Sequence, residues 1–121
     1  MKKPYEKMNS QNTALVLVDI VNSCCHKNCE NEEWGITYSK IREMVPKLND
    51  FIEEFRNKIG GKIIFTNLTS WTKEYLPENI QELYTDPETT YYGDGSEFEN
   101  DFYIIKPKKE DIVITKNNYD T

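Results

Sequence analysis

The strongest constraint on this chain is one short run, Ala14-Leu15-Val16-Leu17-Val18-Asp19-Ile20-Val21. It is nearly continuous in apolar, β-favouring residues and does not alternate with polar ones. Runs of this kind belong to strands covered on both faces, as in a parallel sheet with helices on either side. An aspartate toward the carboxyl end of such a run is costly unless it has a partner or a task.

Two later stretches fit the same sheet, Lys62 to Asn67 and Asp111 to Lys116. From about Ser39 the pattern is helical. Ile41, Met44, Val45, Leu48, Ile52, Phe55 and Ile59 recur at spacings of three and four on one face, and Lys40, Arg42, Glu43, Glu53, Glu54 and Arg56 fill the other. Pro46 predicts a kink or the first turn of a second segment. Gly60-Gly61 predicts the helix stop, because glycine accepts the left-handed cap conformation. Strand, helix and strand in this order favour a right-handed crossover.

The remaining chain is less regular. Residues 1–12 are polar and read as a flexible arm, and residues 22–37 as irregular structure. Pro77 to Tyr84 predicts a short helix opened by proline, and Gly93-Asp94-Gly95 a turn. Three strands with so few helices leave one face and one edge of a sheet open. The expectation is therefore the amino-terminal part of a larger α/β domain, with a partial doubly wound parallel sheet and three main strands.

Composition narrows the classes. The 121 residues carry 15 Lys and Arg against 21 Asp and Glu, a net charge of −6. That length suits one domain. The acidic balance, with only short basic clusters, argues against a nucleic-acid partner. No apolar run approaches the ~18 residues of a membrane span, so no membrane partner is expected. The charged amino terminus lacks the apolar region of a secretory signal. Three cysteines crowd into Cys24, Cys25 and Cys29. An odd, clustered count is unlike a secreted disulfide scaffold and points to the cytoplasm.

Asp19 and Lys116 are the candidate catalytic pair. Both end predicted parallel strands, and ligands of open α/β sheets bind outside those ends, where strand order reverses. If the first and third strands are neighbours, the two side chains meet there. An ammonium beside a carboxylate gives a proton acceptor next to a site that stabilises a developing anion. The same spacing also fits a structural ion pair. The cluster Cys24-Cys25-His26…Cys29 offers metal ligands, but the chain has no second ligand pair to close a zinc site. Cys24 or Cys25 as a nucleophile requires a nearby base, and Asp19 is five or six residues away.

Three stretches resemble the isochorismatase-like cysteine hydrolases, a family that includes nicotinamidases. Thr13 to Asn22 is similar to the family's first strand with its catalytic aspartate, here Asp19. Gly61 to Asn67 is similar to its second strand. Gly95-Ser-Glu-Phe with Asp111 to Asp120 is similar to the segment ending in the catalytic lysine, here Lys116 in Lys116-x-x-Tyr119-Asp120. The likeness spans nearly the whole chain.

It implies a truncated hydrolase domain over 13–121, a doubly wound sheet, and a small-molecule substrate with an amide or related C–N bond. A vinyl ether substrate, which some members cleave without a cysteine, is also compatible. Asp19 accepts the thiol proton and Lys116 lowers the thiol pKa. In the family the nucleophilic cysteine lies beyond the lysine, so the chain is expected to be inactive alone and either a homo-oligomer or dependent on a carboxyl-terminal part. The segment after the second strand, Thr66 to Thr72, has no histidine, which points away from the metal-using branch and toward no cofactor. The alternative is a non-catalytic α/β protein that pairs with a partner through its open sheet edge. A metal or redox protein built on the cysteine cluster and a phospho-acceptor receiver domain are the remaining readings; the latter lacks its aspartate at Thr66-Asn67.

Overall fold

A computed structural model describes residues 4–68, 78–82 and 97–116. Three parallel strands, β1 (Ala14–Val18), β2 (Lys62–Leu68) and β3 (Ile112–Lys116), form one sheet in the order β1-β2-β3. Helices α1 (Asn22–Cys25), α2 (Ser39–Lys58), α3 (Glu78–Gln81) and α4 (Glu97–Asn100) complete an α/β architecture. The helix expected from Pro77 to Tyr84 is represented by α3. Pro77, Leu83, Tyr84 and the Gly93-Asp94-Gly95 turn lie outside the described residues. Among the described residues no helix is long and apolar enough to cross a membrane.

The core forms where α2 lies on the sheet. Its buried Val45, Ile52 and Phe55 meet Leu17 of β1, Ile63 and Phe65 of β2, and Ile105 from the connection to β3. Register places Leu15 beside Ile63 and Leu17 beside Phe65, so one face of the sheet supplies this layer. Phe102 closes it edge-on against Phe65, with ring centroids 5.5 Å apart. The helix continues unbroken through Pro46, which is solvent-exposed. The apolar stripe on either side of the proline buries against the same sheet, and that continuity holds the two halves in one helix.

Polar contacts fix both ends of α2. At the amino end Tyr38 makes no side-chain cap. Glu30 substitutes from a distance: its Oε1 accepts the Tyr38 N–H at 2.8 Å and meets the Arg42 guanidinium at 2.7 Å. The Tyr38 N–H, and after it Arg42, hold the Glu30 carboxyl below its ordinary range. At the carboxyl end Gly60 takes φ 67° and donates its N–H to the Phe55 carbonyl at 2.9 Å. A Cβ on Gly61 would lie 2.0 Å from the Thr13 carbonyl oxygen, so only glycine lets β2 begin this close to β1. Arg56 grips Asp111 with two hydrogen bonds of 2.8 and 2.5 Å, tying the last turns of α2 to the start of β3.

Three expectations change. First, the apolar run predicted two covered faces, and cover is uneven on the side away from α2: Thr66 and Leu68 of the central strand are 3% and 6% exposed there, whereas the flanking strands are more open. Val16 (51% exposed), Val18 (50%), Ile112 (39%) and Ile114 (48%) share the opposite face. Two successive right-handed crossovers running the same way across a sheet fall on the same side. Correspondingly, α2 and Ile105 belong to one cluster. Second, the strand stops at Val18, because Asp19 adopts φ 54°. Val21 is instead fully buried and bridges antiparallel to Phe102. Third, the first and third strands are not neighbours, and the described strands show no reversal of order. Before β1, the Asn9 side-chain oxygen accepts the N–H groups of Gln11 and Asn12. Asparagine closes such turns by imitating a backbone carbonyl.

Candidate functional site

All three strands end on the same rim, and their last residues build the site. β1 delivers Asp19, whose left-handed backbone turns the chain out of the sheet. Aspartate tolerates this conformation better than most residues. β3 delivers Lys116 at its carboxyl end. The Lys116 Nζ lies 2.9 Å from the Asp19 Oδ2. The pair therefore meets, but across β2 rather than between adjacent strands. The lysine stem supplies the reach.

β2 contributes what lies between them. Thr66 pairs in register with Val18 on one side and Ile114 on the other, and it is 3% exposed. Its hydroxyl donates to the Asp19 Oδ1 at 2.9 Å and accepts the Asp19 N–H at 3.2 Å. One carboxylate oxygen is thus held by the hydroxyl and the other by the ammonium, which fixes the plane of the group. Thr66 was not singled out from the sequence as a site residue. The available signal was a hydroxyl residue ending the run Ile63-Ile64-Phe65. Beside it, Asn67 accepts a hydrogen bond from the Thr115 hydroxyl at 2.7 Å, stitching β2 to β3 just below the pair.

The lysine and aspartate side chains are 10% and 22% exposed. Desolvation of such a pair offsets much of its Coulomb attraction, so a well-packed apolar pair would hold the rim about as firmly. Placement at strand ends, where open sheets bind ligands, is then the informative property. Chemically the arrangement offers one fixed carboxylate as proton acceptor and one ammonium as partner for a developing anion.

The cysteine cluster does not gather into a metal centre. Among the described residues no group of three or more His, Cys, Asp or Glu side chains is placed to hold an ion. His26 accepts the Asn28 N–H through Nδ1 at 3.1 Å, capping the short 3-10 turn Lys27–Cys29. Its ring stands edge-on to Phe98 and Tyr103, at 5.0 and 6.0 Å between centroids. Cys25 is buried in α1, and burial pushes its thiol up to about 11.

Cys24 lies in the field of the rim pair. Burial raises its pKa most, the neighbouring Ser23 hydroxyl draws it down, and Asp19 and Lys116 act in opposite directions. The net direction is upward. Cys29 is raised as well, by burial first and then by Glu99. All three thiols are thus shifted away from the thiolate, the nucleophilic form.

Asn22 is an anchor. Its side-chain amide donates to the Phe98 carbonyl at 2.7 Å, and its backbone N–H to the Asp101 carbonyl at 2.9 Å. A cleft of about 320 Å³ lies elsewhere, lined by residues that include Ser10, Arg56, Gly61 and Asp111. Trp71, Tyr75, Tyr84, Tyr91 and Tyr92, the aromatic residues of the connection to β3, lie outside the described residues. No protein-family model matches the chain, and no curated protein or solved structure matches it either.

Proposed function

We propose that Asp19 and Lys116 are the acid–base part of an isochorismatase-like cysteine-hydrolase site acting on a small amide or related C–N substrate. One observation carries the reading: the 2.9 Å ion pair on the common rim, with Thr66 orienting its carboxylate. In the reaction a thiol proton passes to Asp19 as sulfur bonds to the carbonyl carbon. The amine leaves with that proton, and water then cleaves the thioester. Lys116 stabilises the thiolate and orients the aspartate. The thiol is one that this chain's raised cysteines do not supply, so the chain alone is inactive toward amides. A vinyl ether substrate, which needs proton transfer and water but no thiol, fits the same pair. The three free thiols suit a reducing cytoplasm.

A supplied thiol tests this. The purified chain is mixed with p-nitrophenyl acetate with and without 2-mercaptoethanol. The expected result is no release by the protein alone and a thiol-dependent rate at least about tenfold above buffer. Asp19→Asn and Lys116→Met remove that acceleration, since a positioned base contributes on the order of a hundredfold or more. Equal rates for the original chain and Asp19→Asn would sink the reading.

A further inference from the structure

The backbone of Asp19 decides which face of the sheet its carboxylate serves. Leu15 and Leu17 of β1 pack toward α2, so Val16 and Val18 lie on the other face. Thr66, in register with Val18, and Lys116, in register with Leu68, belong to that second face. Had β1 run on in extended form, as the β-favouring Ile20 and Val21 invite, alternation would put Asp19 on the α2 face, away from both partners. The left-handed backbone at Asp19, φ 54°, breaks the alternation, and the carboxylate meets Thr66 and Lys116 instead.

That turn is held from two sides. On the strand side the Thr66 hydroxyl accepts the Asp19 N–H. On the other side residues 20–26 are fastened to one remote segment, Phe98 to Tyr103. Asn22, 8% exposed, makes two bonds to it: the side-chain amide donates to the Phe98 carbonyl at 2.7 Å and the backbone N–H to the Asp101 carbonyl at 2.9 Å. The Tyr103 N–H donates to the Ile20 carbonyl at 2.9 Å, and Val21 bridges antiparallel to Phe102. His26 sets its ring edge-on to Phe98 and Tyr103, the two ends of the segment.

In this register the next pair outward is Asp19 and Ile104, and both have φ 54°. The short ladder stops there because both chains leave it. The turn at Asp19 and the grip on residues 20–22 are thus one feature. Extending β1 through Asp19 would pull Asn22 out of its bonds and leave a buried amide unmatched.

We propose that Asn22 is a positioning residue: by tying residues 20–22 to Phe98–Tyr103 it keeps Asp19 left-handed and its carboxylate on the Lys116 side of the sheet. Its consequence for catalysis rests on the hydrolase reading above; its consequence for the ion pair does not.

The test reads the Lys116 amine. The full chain is acetylated briefly with acetic anhydride, and mass spectrometry of the peptide containing Lys116 gives the labelling rate. Asp19→Asn sets the rate of an unpaired lysine. Asn22→Ala and Asn22→Asp both lack the amide donor. They are expected to label Lys116 at least about fivefold faster than the original chain, the effect of one lost buried hydrogen bond on a local equilibrium. Gly60→Ala strains a left-handed position at the opposite end of the sheet, φ 67°, and is expected to leave the rate unchanged. Original-rate labelling in both Asn22 variants overturns the proposal. Equal acceleration in Gly60→Ala overturns it too, since any loosening of the fold would then suffice. Should the Asn22 variants unfold, His26→Ala loosens the same segment without removing a buried amide, and an unchanged Lys116 rate there counts equally against it. Thiol-dependent ester cleavage is measured on the same proteins. Its absence from the original chain refutes the hydrolase reading and leaves the labelling to decide the positioning.

Discussion

At the end of β2 one hydroxyl serves two atoms of one residue. Thr66 donates to the Asp19 carboxylate and accepts from the Asp19 N–H, and it does so while 3% exposed. Replacing it with valine keeps the volume and removes both bonds. Buried polar groups left unmatched cost about 1–3 kcal/mol, so Thr66→Val is expected to lower the unfolding free energy by that amount in urea titration, and Thr66→Ser to recover most of it. No loss in the valine variant would show that the rim is held by the ion pair alone. The aspartate and lysine were legible in the sequence because a charge at the end of an apolar strand is conspicuous. Thr66 was not, because threonine is an ordinary strand residue whose role depends on the neighbour it faces. The cysteine cluster has the residue types of a metal site but no second ligand pair in the sequence, and in the fold His26 spends Nδ1 on a turn while Cys25 is packed away.

Among the elements, α2 and β3 are joined through charge more than through apolar area. Every residue from Ile112 to Thr115 is exposed, whereas the Asp111 side chain just before the strand is 2% exposed and gripped by Arg56. Arg56, followed by the Lys108 N–H, holds the Asp111 carboxyl below its ordinary range against an opposing effect of burial. A carboxyl that binds its proton less readily when folded stabilises the fold fully above the unfolded value near 3.9, and that contribution is lost as the pH falls through the lowered folded value. Asp111→Asn removes the nearest of three carboxylates around a largely buried guanidinium, with Glu53 and Glu110 remaining at 3.6 and 3.8 Å. The expected cost at pH 7 is about 1–3 kcal/mol, shrinking as both proteins are acidified below pH ~4. Urea midpoints at pH 7 and pH 3 check this; an unchanged gap between the two proteins refutes it. The helix period of α2 was plain in the sequence. Its cap was not, because Glu30 reaches the helix from outside it, eight residues before Tyr38.

At the scale of the whole molecule, the described residues form two layers, one sheet and one covering side. On the side away from α2, Val16, Val18, Ile112 and Ile114 of the flanking strands are 39–51% exposed around a buried Thr66, so the folded chain is expected to enhance the fluorescence of an apolar dye such as ANS in neutral buffer, with its melting transition intact. Val18→Lys is expected to reduce that signal without loss of helix content. A dark, fully folded original chain would contradict the layering. The sequence by itself determined that strands and one long amphipathic helix would form, that the strands would be parallel, and that charges at two strand ends would share a rim. These follow from apolar period, glycine placement and crossover handedness, all of which act locally or through rules common to every chain. Only the tertiary structure decided that β2 stands between the paired charges, that Thr66 orients them, and that the flanking strands stay about half exposed on the side away from α2. Strand order, register and side-chain reach arise from contacts between residues dozens of positions apart, and no local pattern encodes which of those contacts wins.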